Sequence, residues 1–184
     1  MRRMIIVALY TGLRRGEILN QLWEHIDFES RVLYVTRSKT AGGEGREVPL
    51  ANVVVEALQP LSQPTGHVCQ FHGCPIGSFK TAWLRAVRES LSYHLRFHDL
   101  RHTANSRMME AGVIQDVRKA ILGHSSGREI NARYTHVELP AKREAIRKLE
   151  LWVQQQRSML CVQREHEGGN NDCAEDRGQG PGST

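Results

Sequence analysis

Helical apolar spacing recurs along this chain and constrains its fold more than any other feature. Phe79, Ala82, Trp83, Ala86, Val87 and Leu91 fall at i, i+3, i+4, i+7, i+8 and i+12, the stripe of an amphipathic helix. Ala145, Ile146, Leu149, Trp152 and Val153 form another stripe, in a helix expected over 139–154. Helices are also predicted over 2–10, 13–22, 53–61, 99–110 and 114–122. Strand-like alternation is confined to one region. Between Ile26 and Thr36, Val32 and Tyr34 alternate with Leu33 and Val35 after a polar Asp27–Ser30 turn. The segment Lys39 to Arg46 has the glycines of a hairpin tip, and Glu47-Val48-Pro49-Leu50 reads as a returning strand. The fold class is therefore mainly α (α+β), with helices around one small antiparallel sheet.

Composition excludes several classes. In 184 residues no apolar run approaches the length of a membrane-spanning helix. The start, Met1 to Leu9, briefly imitates a signal peptide, but the run is short and no small-residue cleavage site follows. A cytoplasmic protein is expected, and Cys69, Cys74, Cys161 and Cys173 are too irregular for a disulfide framework. The net charge of +5 is unevenly divided: residues 151–184 carry three Arg and five acids, leaving +7 on residues 1–150. A basic globular part with an acidic, Gly-rich tail suits a polyanionic partner, most often nucleic acid.

Three constellations could carry chemistry. In Thr11-Gly12-Leu13-Arg14-Arg15-Gly16-Glu17, a turn glycine delivers an arginine to a helix start. Glu17 at i+3 could brace Arg14, although a surface ion pair has the same pattern. In His98-Asp99-Leu100-Arg101-His102, His98 and Arg101 share a face near a helix N-terminus, which suits a phosphate. A metal held by His98 and His102 would be repelled by Arg101 between them. In Leu122-Gly123-His124-Ser125, glycine ends a helix and leaves a histidine on the loop, with Tyr134 further along. An isolated tyrosine is usually a packed core residue.

Taken together, these pieces resemble the tyrosine recombinase (phage integrase) family from roughly Met4 to Leu149. The boxes stand in family order: T-G-L-R-x-x-E at Thr11–Glu17, S-K-T at Ser38–Thr40, H-D-L-R-H-T at His98–Thr103, L-G-H-S at Leu122–Ser125 and R-Y-T-H at Arg133–His136. The resemblance implies a helical catalytic domain with a three-stranded antiparallel sheet. It implies an active-site set of Arg14, Lys39, His98, Arg101, His124 and Tyr134, with Glu17 supporting Arg14. The interval from His124 to Tyr134 is one residue longer than usual in the family. Complete members carry a further N-terminal helical clamp domain. The expectation is thus a catalytic domain over 1–157 and a disordered tail over 158–184.

The chemistry is coherent without the name. Metal-free cleavage of a phosphodiester needs cations on the non-bridging oxygens, here Arg14 and Arg101. Tyr134 would be the nucleophile, His98 its base, Lys39 the acid for the leaving oxygen, and His124 a phosphate contact. The expected function is site-specific DNA strand cleavage and rejoining. Alternatives are relaxation of the type IB topoisomerase kind, a non-catalytic DNA-binding remnant, or a helix-turn-helix regulator. Expected partners are double-stranded DNA, further copies in a tetramer on DNA, and accessory DNA-bending proteins. No cofactor, metal or membrane is expected. His67, Cys69, His72 and Cys74 are zinc-like types, yet all four lie within eight residues. Ordinary fingers separate their ligand pairs by a structural element, so this segment reads as a loop with a Gly73–Ile76 turn.

Overall fold

An apolar run from Met4 to Leu9 makes α1 (Arg2–Thr11), which ends because Gly12 turns left-handed at φ 63° and donates its N–H to the Ala8 carbonyl. Any side chain at Gly12 would collide with that of Leu122. The computed structural model describes residues 1–38, 44–90, 93–124 and 137–168, with side chains as far as Cys161 and at Gln163. It divides into two units, Met1–Trp152 and Val153–Thr184.

The helix expected over 13–22 is shortened to α2 (Arg15–Leu19). The Glu17 carboxylate takes the Arg14 N–H at 2.8 Å, which fixes the helix start. At the other end the Asn20 side-chain amide donates to the Gly16 carbonyl, an alternative to continuing the helix. A 3-10 turn at Trp23–His25 leads into the sheet of β1 (Ile26–Asp27), β2 (Val32–Val35) and β3 (Arg46–Pro49). The strands are antiparallel in the order β1-β2-β3, with Ile26 opposite Leu33 and Leu33 opposite Val48. The three-stranded sheet expected from the sequence is therefore present.

The helices that follow are α3 (Asn52–Leu58), α4 (Lys80–Ser90), α5 (Asp99–Glu110), α6 (Gln115–Leu122) and α7 (Leu139–Gly168). In the first unit α1 packs on α5 and α3, α5 on α6, and α6 on β3. Val7, Ala8, Leu13, Ile18, Val32, Val54, Leu100, Ala104, Met108, Ile121 and Leu149 are all buried in this core. One feature is absent from the sequence reading: residues 67–76 hold a hairpin, β4 (Gln70–Phe71) against β5 (Cys74–Pro75), closed by His72 and Gly73 at φ 49° and 77°. Two left-handed residues are what a tight hairpin turn requires, and Gly73 supplies one at no cost.

The α7 helix is longer than the one expected over 139–154. Helical backbone runs on to Gly168, past both the expected end at 154 and the boundary at 157. No glycine or proline interrupts the sequence between Ala141 and Gly168, so nothing stops propagation there. Residues 169–184, the remainder of the expected tail, lie outside the described residues. Among the described residues no helix is long and apolar enough to cross a membrane.

Candidate active site

The site is built on one buried carboxylate. Glu17 is only 3% exposed, and its two oxygens gather groups from three segments of the chain. Oε1 accepts from Arg14 Nη1 at 3.0 Å, from the Ser38 hydroxyl at 2.7 Å and from Arg46 Nη1 at 3.1 Å. Oε2 accepts from the Arg14 backbone N–H at 2.8 Å and from Arg46 Nη2 at 2.7 Å. Burial on its own would push this carboxyl up. The bonds and charge of Arg46, with Ser38 and the Arg14 N–H, overcome that and bring it down to about 2. Glu17 is therefore ionised throughout the physiological range.

Arg14 reaches across this floor to the opposite side of the site. Its Nη2 donates to the Gly123 carbonyl at 3.0 Å, at the left-handed end of α6. Arg101, on the first turn of α5, is 4% exposed and donates through Nη1 to the Gly12 carbonyl at 2.7 Å. Its Nη2 is buried with no hydrogen-bond partner among the described residues. Desolvation, then the neighbouring cation Arg14, bring the guanidinium down to about 10; Glu17 pulls the other way, by more than Arg46 adds. It still carries its proton at neutral pH. A buried cation with an open donor is a receptor for an anion.

Two histidines border this cation. His98 precedes α5, and the aromatic contacts of its neighbour seat it: Phe97 packs edge-on against Phe79 at 4.6 Å and Trp83 at 5.2 Å. The His98 ring stands at 90° to that of His102, centroids 5.0 Å apart. His124 follows Gly123, with its N–H bonded to the Lys119 carbonyl at 3.1 Å. Partial desolvation holds both His98 and His124 below the usual histidine value. Electrostatic neighbours deepen the effect, chiefly His102 and Arg101 for His98 and Arg101 and Arg14 for His124. Both imidazoles are thus neutral near pH 7 and able to accept a proton.

The fold brings Arg14, Glu17, Arg101 and His124 into mutual electrostatic range, with His98 beside Arg101. Lys39 and Tyr134 lie outside the described residues, although Ser38, immediately before Lys39, is bonded to Glu17. Sequence reasoning missed Arg46. Its signal was available: in a strand of period two it shares a face with Val48, and an inward arginine needs an acid. Among the described residues no three His, Cys, Asp or Glu side chains come together to hold a metal ion.

Comparison with known proteins agrees with this geometry. The profile of the phage integrase family matches residues 1–139. The shufflon-specific DNA recombinase of Escherichia coli is 36% identical over 155 residues, which span 79% of this chain and 39% of that protein. The tyrosine recombinase XerC of Xanthomonas campestris is 29% identical over 147 residues, 74% of this chain and 44% of that one. Among solved structures, the integrase from mycobacterium phage Brujita superposes with a TM-score of 0.60 at 27% identity, covering 80% of this chain and 50% of that one. The chain thus spans about half or less of the length of each of these relatives.

Proposed function

This chain belongs to the phage integrase family, and from that premise we propose that it cleaves and rejoins duplex DNA at a specific site through a covalent 3′-phosphotyrosine. The observation that carries the reading is the Arg101 guanidinium, buried beside Arg14 with Nη2 unpartnered among the described residues. In the proposed reaction the scissile phosphate sits over Arg14 and Arg101, which stabilise charge on its non-bridging oxygens. The Tyr134 hydroxyl attacks phosphorus, the P–O5′ bond breaks, and the phosphate becomes a tyrosyl ester. His98, neutral at pH 7, takes the phenolic proton. Lys39 gives a proton to the departing 5′-oxygen, and His124 hydrogen-bonds the phosphate. Attack by a 5′-hydroxyl of another strand reverses these steps, so rejoining needs no nucleotide cofactor. The proposal includes a tetramer on DNA, accessory DNA-bending proteins and a cytoplasmic location.

Tyr134→Phe removes one hydroxyl and should abolish the covalent adduct on nicked suicide DNA while duplex binding persists. Adduct formed by the Phe variant would assign the nucleophile elsewhere. Lys39 is tested separately. Lys39→Ala should slow cleavage of ordinary DNA by roughly 10²–10⁴ and cleave a 5′-bridging-sulfur substrate near the wild-type rate, since a thiolate leaves unaided. Arg101→Ala should show no such rescue. Equal rescue of both variants, or of neither, removes Lys39 from the acid role.

A further inference from the structure

We propose that Arg46 is a positioning residue: by gripping both oxygens of Glu17 and the Ile121 carbonyl, it sets where Arg14, Ser38 and the His124 end of α6 stand relative to one another. This rests on the strand-cleavage reading above. Three donors of one guanidinium are used, Nη1 and Nη2 to the two carboxylate oxygens and Nε to Ile121 at 3.0 Å. The residue is 7% exposed and does not reach the site's open face as Arg14 does.

Its place in the sheet explains the reach of that grip. Arg46 pairs with Val35 in the last rung of the β2–β3 ladder, and the Gly45 N–H closes on the Val35 carbonyl at 2.8 Å. It therefore sits where β3 begins, just after the β2–β3 connection whose sequence contains Lys39. The same carboxylate oxygen that takes Arg46 Nη1 also takes the Ser38 hydroxyl and Arg14 Nη1. Ile121 and Gly123 are the final carbonyls of α6, and they accept from Arg46 and Arg14 respectively. One planar fork thus ties three separately folded pieces together: the hairpin base, the Arg14 turn and the α6 end. A displacement on the order of 1 Å in such an assembly lowers a phosphoryl-transfer rate about 10²-fold.

Charge and geometry can be separated experimentally. Glu17 is faced by Arg14 and its N–H, Ser38, Arg46 and, across the site, Arg101. Arg46→Gln removes the main force opposing burial, so the Glu17 carboxyl rises, becomes protonated as pH falls, and releases Arg14. Arg46→Lys restores the charge without the fork. Single-turnover adduct formation on suicide DNA is measured from pH 5 to 9, well below each variant's melting temperature. Arg46→Gln should cleave roughly 10²-fold more slowly, with a new acidic limb and unchanged DNA affinity. Arg46→Lys should lose the acidic limb but remain about 10-fold or more below wild type at every pH. A wild-type rate in Arg46→Lys overturns the proposal. So does a pH profile of Arg46→Gln parallel to wild type, because a merely structural arginine leaves a folded protein's profile unchanged. Should Arg46→Gln fail to fold, the Arg46→Lys rate decides. If wild type itself forms no adduct, the strand-cleavage reading fails. The ¹³C-carboxyl titration of Glu17 then decides the role of Arg46: an unshifted Glu17 in Arg46→Gln overturns it.

Discussion

His67, Cys69, His72 and Cys74 are neighbours in sequence, whereas Arg14 with Glu17, Arg46 and Arg101 come from three separate segments. In the fold the relation is reversed. The hairpin's alternation and turn send its reactive side chains apart: Cys69 is buried, Cys74 exposed, and His72 lies edge-on against Phe71 at 4.1 Å. Burial raises the Cys69 thiol to about 11, leaving it protonated and inert near neutrality. The arginine site gathers its groups by long-range hydrogen bonds. Chemically rich residues make a site when tertiary packing turns them toward one point, and local density is a poor guide to that.

The largest expected effect that sharpens the contrast is at Arg101. Its buried charge is partly uncompensated by protein, so Arg101→Met should hold or raise the urea midpoint while adduct formation falls by roughly 10²–10³. Inorganic phosphate at constant ionic strength should raise the melting temperature of wild type and not of this variant. Loss of stability without loss of the phosphate effect would make Arg101 a core strut.

Glu17 comes next. Glu17→Gln leaves Arg46 buried without its counter-charge and should cost about 3–5 kcal/mol in urea unfolding. The pH dependence has a definite sign. The folded carboxyl at about 2 lies below its unfolded value of 4.5, so its stabilisation is complete above pH 4.5 and is lost as pH falls toward 2. That acid slope should be present in wild type and flattened in Glu17→Gln.

The smallest effect belongs to the hairpin. Cys74→Ser should change unfolding free energy by within about 0.5 kcal/mol. Neither added zinc nor a chelator should move the melting temperature of wild type. A zinc-dependent rise lost in Cys74→Ser would break the comparison and make the hairpin a metal site.

How much of this was legible beforehand follows the same division. The α5 helix over 99–110 and the Arg14–Glu17 pair were readable because each depends on spacing within a few residues, whereas the third strand of the sheet came with the family resemblance. Helix ends were less so: α2 stops short because side chains of Glu17 and Asn20 take over backbone partners, and α7 continues for want of a breaker. The bond from Arg46 to Glu17 joins β3 to α2, and no local periodicity announces it. The inward strand position was the available clue, and it identifies the need for an acid without naming which one.

Left-handed glycines end both α1 and α6. Gly12 and Gly123 offer their own carbonyls to Arg101 and Arg14. A carbonyl is a neutral tether: it fixes a guanidinium in space and leaves its formal charge intact, as a carboxylate does not. Arg14 and Arg101 are held in this way beside the Glu17 carboxylate, which Arg46 also grips. A phosphodiester carries one negative charge at rest and two once a nucleophilic oxyanion has added to phosphorus. Under the strand-cleavage proposal, the helix ends therefore leave positive charge standing where a five-coordinate phosphate would gather its second negative charge.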